Sequence, residues 1–146
     1  MEEQLITFET AKLAKEKGFD LCTRHYFIST GELIDIEDLE DIYPKNWNNK
    51  WIYTKCGTGC FGCKIDNIKY FEACSAPTQF LLQKWLREKY KIDVVVIPYD
   101  NQPINYCSYL YKHLPDDKLD RTVLEKYPTY EEALEQGLIE GLNLIK

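Results

Sequence analysis

A chain of 146 residues is long enough to bury a core without disulfide staples, and 45% hydrophobic with 14% aromatic content excludes a disordered tail. The formal net charge of −6 disfavours wrapping nucleic acid through its phosphates, which takes a basic face. MEEQLITFETAK at the N-terminus lacks a basic segment followed by an apolar run, and no apolar stretch reaches the roughly 18–20 residues of a membrane helix. The expectation is a cytoplasmic protein with no membrane partner, whose cysteines stay reduced.

The first helix is marked by Thr7 as a cap, Glu9 at its positive end and Gly18 at its close. Phe19 after the glycine suits a Schellman ending. LCTRHYFIST then predicts a strand, Gly31 a turn and ELIDI a returning strand. Glu32–Asp41 (ELIDIEDLED) holds six carboxylates in ten residues and reads as a solvated face. It lacks the central glycine and the ligand spacing of a calcium loop. An irregular insertion follows at about 37–74. Within it, WIYT and IDNIKYF can form two strands joined by a cysteine-rich tip.

Pro77 suits the first turn of a second helix, whose apolar side is Leu81, Leu82, Trp85 and Leu86. IDVVVIP and INYCSYLYKH predict two more strands around the loop YDNQP. AKEKGFD and LREKYKID, ending the two helices, are alike enough to suggest a decayed duplication. The third helix opens on the capping box Thr129–Glu132 and carries the stripe Leu134, Leu138, Leu142 and Ile145. Gly137 and Gly141 beside that stripe each weaken the helix by about 1 kcal/mol, which points to close packing on a sheet. The fold expected is one α+β domain, residues 1–146. Two helix–strand–strand units supply an antiparallel sheet, and the C-terminal helix packs on it.

The sharpest motif is KCGTGCFGCK. Cys56, Cys60 and Cys63 have the spacing of radical S-adenosylmethionine enzymes, but Gly62 stands where an aromatic precedes the third cysteine. The 83 residues that follow are too few for the barrel that chemistry uses. No cofactor is expected, and zinc is the candidate exception: Cys60–Cys63 is a knuckle to which Cys56 and Cys74 could add thiolates. The favoured reading is small reduced thiols in a glycine-rich loop; a redox-active Cys60–Cys63 pair would call for a helix beginning at the motif, and none is predicted there. Thiol catalysis needs a histidine beside the cysteine. Cys22 and His25 point to opposite faces of a strand, and Cys107 and His113 lie roughly 20 Å apart along one. Lys84, Arg87 and Lys91 form a thin basic stripe, against a background that favours a solvated face. Tyr106, Tyr109 and Tyr111, with Trp47 and Trp51, either form an aromatic surface or sit as half-buried strand residues.

Three pieces carry a resemblance: Lys15–Phe19 (KEKGF), Ala76–Gln79 (APTQ) leading to Trp85–Arg87 (WLR), and Tyr130–Leu138 in the pattern Y-x-E-A-L-x-x-G-L. In these the chain resembles a family of small uncharacterised proteins of anaerobic gut bacteria and their phages and mobile elements. The resemblance implies an origin and no mechanism. The clustered cysteines are not part of the pattern, which counts against a metal site common to the family. The reading leans away from an enzyme. It expects a phage- or mobile-element-type accessory protein that binds another protein, with no catalytic residues. A zinc-supported binding module and a small thiol-dependent enzyme are the alternatives.

Overall fold

A computed structural model describes residues 3–35, 48, 51–54, 69–99, 105–113 and 119–146, with 51–54, 69–71 and 119–124 described as backbone. In chain order these residues form α1 (Phe8–Glu16), β1 (His25–Ile28), β2 (Leu33–Asp35), β3 (Trp51–Thr54), β4 (Lys69–Ala76), α2 (Gln79–Tyr90), β5 (Ile92–Pro98), β6 (Tyr106–His113), β7 (Leu119–Tyr127) and α3 (Tyr130–Asn143). The fold is α+β, and every strand pairing is antiparallel.

The strands make two sheets, in the orders β2-β1-β4-β3 and β5-β6-β7. The two helix–strand–strand units thus feed separate sheets, because β1 takes β4 as its second neighbour. WIYT pairs with β4 from Trp51↔Glu72 to Thr54↔Lys69, so the expected hairpin strands are partners; their tip lies outside the described residues. β4 runs on through Cys74 to Ala76 and occupies an inner position, so the far end of the insertion lies inside the sheet. β7 was not expected. Its sequence, LDRTVLEKY, mixes charged and β-branched residues without clean alternation, and a register shift opposite Cys107 and Tyr109 interrupts its pairing.

Each helix begins on a threonine cap. The hydroxyls of Thr7, Thr78 and Thr129 accept the backbone N–H of Thr10, Leu81 and Glu132 at 3.3, 3.2 and 3.2 Å. Pro77 therefore precedes the cap rather than opening the helix, and its carbonyl accepts the Ile6 N–H at 3.1 Å. α1 ends as expected. Gly18 has φ 80°, its N–H reaches Lys15 O, and the Phe19 N–H reaches back to Ala14 O, the paired bonds of a Schellman motif. α2 ends differently, on Lys91 at φ 58°, which joins the helix to β5 through a single residue. Phe19 and Ile92 follow these left-handed residues and are both buried.

α3 packs on β5, β6 and β7 and touches α1 and α2. Its stripe Leu134, Leu138, Leu142 and Ile145 is buried, and one hydrophobic cluster joins it to Trp85, Leu86, Val94 and Leu110. Each fully buried leucine contributes about 2 kcal/mol. A Cβ at Gly137 would stand 2.5 Å from Val94 Cγ1 and 3.0 Å from Ser108 Cβ. One at Gly141 would press on the movable end of Leu86, at 3.0 Å, with Leu110 and Ile92 at ordinary contact distance. The two glycines therefore predict opposite outcomes. Gly137→Ala should lose about 1–3 kcal/mol in urea denaturation despite alanine's better helix propensity, while Gly141→Ala should stay within about 1 kcal/mol of the parent.

Candidate functional site

Of the four proposed zinc ligands, Cys56, Cys60 and Cys63 lie outside the described residues. Cys74 sits on β4 in the hydrophobic cluster, 5% exposed. Burial pushes its thiol pKa up, against the opposing pull of the Lys15 ammonium. A thiol so placed stays protonated at neutral pH and is a poor nucleophile. It forms one wall of a cleft of about 430 Å³ beside α1, with Phe8, Lys12, Lys15 and Glu72 around it. The cations there are engaged: Lys15 pairs with Glu72 and donates to Ala73 O at 3.1 Å, and Lys12 pairs with Glu9 at 3.0 Å. Among the described residues no group of three or more His, Cys, Asp and Glu is arranged to hold a metal.

Both histidines are strand residues paired with carboxylates. His25 Nε2 lies 3.2 Å from Asp35 Oδ2, its partner across β1 and β2. His113 Nε2 lies 2.8 Å from Asp93 Oδ2. Cys22 precedes β1 and is exposed, and Cys107 is buried on β6. The basic stripe of α2 is matched by acid: Lys84 faces Glu88 and Arg87 faces Asp93, each at 3.9 Å. Of the tyrosines, Tyr109 and Tyr111 stack on one face of β6 at 6.4 Å between centroids. Tyr106 turns to the other face and packs edge-on against Tyr130. Trp47 lies outside the described residues.

The most elaborate polar arrangement was not foreseen. Glu135, in the second turn of α3 and 8% exposed, turns inward to the N-termini of the other two helices. Its Oε1 accepts the Thr7 N–H and the Thr7 hydroxyl, each at 2.9 Å, and the Thr10 hydroxyl. Its Oε2 accepts from the Gln79 amide at 3.0 Å, which also reaches Glu131 O at 3.1 Å. Thr7 and Thr10 have one hydroxyl proton each, so the three close approaches among them and Glu135 share two protons. The chain before α1 is tied in as well, by Gln79 N–H to Gln4 O at 2.8 Å. A glutamate among Glu131, Glu132 and Glu140 carries no local sign of burial. The one clue was helical phase, which sets Glu135 next to Leu134 and Leu138.

The pieces that carry the family resemblance all have structural work here. Thr78 caps α2 and Gln79 binds Glu135. Trp85 packs on Phe19 and Tyr90, with centroids at 5.3 and 5.0 Å, and its Nε1 donates to Asp20 Oδ1 at 2.8 Å. Lys89 adds a 2.8 Å bond to Asp20 Oδ2, and the hydrogen bonds from Lys89 and Trp85 hold the Asp20 carboxyl below its usual range.

Part of the outward surface is apolar. On β5, the odd-numbered residues face away from α3, and Val95, Ile97 and Tyr99 are 41%, 38% and 52% exposed. Phe80, on the first turn of α2, is 59% exposed. Val95, Ile97 and Tyr99 follow one another on one face of β5 and just past its end, and make the candidate interaction surface.

Comparison of the chain with protein-family models, with curated proteins and with solved structures gives no match. No helix among the described residues is long and apolar enough to cross a membrane.

Removing the Glu135 side chain should cost about 3 kcal/mol as Glu135→Ala, because buried donors from two helices lose their acceptor. Glu135→Gln, which keeps one acceptor oxygen, should cost about 1 kcal/mol; thermal melts of the two variants measure both. Cys74 should react with iodoacetamide in the native protein at least about tenfold more slowly than a free thiol, and reach the free-thiol rate on unfolding; peptide mapping of the alkylated sites reads this out.

Proposed function

We propose that the protein is a non-catalytic accessory protein of phage or mobile-element type that binds another protein. The observation that carries this reading is the exposed apolar run Val95, Ile97 and Tyr99 on one face of β5 and just past its end. Apolar side chains grouped on an otherwise charged surface are the usual ground of protein–protein contact. The engagement of the described chemical groups supports it. His25 and His113 are held by aspartates, Cys74 and Cys107 are buried, and the family-like motifs serve packing and capping. On this reading Cys56, Cys60, Cys63 and Cys74 are reduced thiols and carry no function.

The test is affinity capture with the immobilised chain from a lysate of its native host, followed by mass spectrometry and reciprocal capture. The expected result is a discrete protein retained by the parent chain and lost by Ile97→Asp, which buries a charge in any apolar contact on that face. A protein retained equally by the variant places the contact elsewhere. No reproducible partner overturns the reading.

A further inference from the structure

The C-terminal ends of the three helices meet at one end of the molecule. The Lys17 ammonium, at the close of α1, donates to Ile145 O just past α3 at 2.6 Å. The hydroxyl of Tyr90, the last residue of α2, donates to Lys17 O at 3.3 Å. Beside this junction opens a cleft of about 270 Å³, lined by Tyr90, Ile92, Lys112, Leu144, Ile145 and Lys146. Ile92 and Ile145 belong to the core and give it a fixed apolar floor, while Leu144 stands exposed at its rim. Ile92 lies on the face of β5 opposite Val95 and Ile97, so the cleft is separate from the candidate interaction surface.

The lysines of this cleft differ from their neighbours. Lys12, Lys15, Lys84 and Lys89 each pair with a carboxylate. Lys17 and Lys91 are spent on carbonyls at helix ends, Ile145 O and Glu88 O, as lysines near helix C-termini usually are. Lys112 and Lys146 make no ion pair or hydrogen bond with a described residue. Lys112 projects from β6 and has no helix end to serve. No carboxylate side chain lines the cleft. An apolar floor is thus joined to two ammonium groups whose charge is not met among the described residues.

We propose that this cleft binds a small aliphatic carboxylic acid, with its carboxylate at Lys112 and Lys146 and its chain on Tyr90, Ile92, Leu144 and Ile145. The volume sets the size: about 270 Å³ lies just under the roughly 300–1,000 Å³ of drug-sized sites, which suits a short chain. The walls set the head group. Lysine is a point charge without a bidentate fork, and no arginine lines the cleft. Phosphates find backbone N–H groups at helix N-termini, whereas helix C-termini, with their partial negative charge, end here. A dianion is therefore disfavoured, and a singly charged carboxylate matches the two ammonium groups. The apolar floor requires a body to bury, so a bare acid such as acetate gains little.

The probe is octanoate, titrated into the isotope-labelled full chain and followed by amide NMR shifts. Saturable shifts are expected at Tyr90, Ile92, Lys112, Leu144 and Ile145, with a Kd of about 1 mM or tighter. Octanamide keeps the chain and loses the charge, and acetate keeps the charge and loses the chain. Each should bind at least about tenfold more weakly than octanoate. The double variant Lys112→Glu, Lys146→Glu should weaken octanoate at least about tenfold and leave octanamide unchanged, with amide shifts away from the cleft reporting a kept fold. Four results overturn the proposal: no saturation at about 10 mM octanoate, tenfold beyond the weakest expected affinity; equal binding of octanamide or acetate; unchanged octanoate affinity in the folded double variant; or shifts that map to residues elsewhere. If the double variant does not fold, Lys112→Gln decides, and unchanged affinity there overturns it.

Discussion

A single carboxyl group organises the helices. Glu135 faces the N-termini of α1 and α2, where backbone N–H groups lack helical partners and the helix dipoles are positive. It takes the Thr7 N–H and the Gln79 amide together with threonine hydroxyls, and so fixes where two helices start relative to the third. The burial of an acidic side chain is costly unless its acceptors are filled, and here four donors fill them. On the helical wheel of α3, Glu135 and Gly137 bound an arc of about 160° that contains Leu134, Leu138 and Leu142. The carboxyl group marks the side of α3 that meets helix ends, and the missing Cβ marks the side that meets the sheet. Rotating α3 would break one contact or drive the other into Val94.

What could be read from the amino-acid order alone was local. Gly18 and Phe19 carry their Schellman ending in adjacent residues, and Thr7 and Thr129 announce their caps. The leucines of α3 repeat at helical spacing. Gly137 was legible as a close approach because a glycine in a good amphipathic helix needs a reason. The non-local features were hidden. Glu135 looks like any surface glutamate until Thr7 and Gln79 are placed beside it. Pro77 and Thr78 compete for the same helix start, and only the hydroxyl bond to Leu81 decides between them. The assignment of strands to two sheets depends on β4, whose inner place follows from pairing with residues about fifty positions earlier.

The candidate site was legible in the same uneven way. The cysteine spacing drew attention to chemistry, yet the one member of that set in the described residues is a core side chain. The interaction surface drew none, since Val95 and Ile97 alternate with Val94 and Val96, which pack on the core, and their exposure follows from strand phase.

The Thr7–Glu135 contact joins residues 128 positions apart. During synthesis the ribosome delivers α1 well before the segment that completes its cap network. At about 5–20 residues per second, that interval is on the order of ten seconds. Throughout it, the buried side of α1, with Ala11 and Ala14, has no α3 to lie against. Newly made chains therefore pass through a window in which the first helix is available to chaperones and to other nascent chains. The hub that makes the finished fold specific is also a step that vectorial synthesis delays.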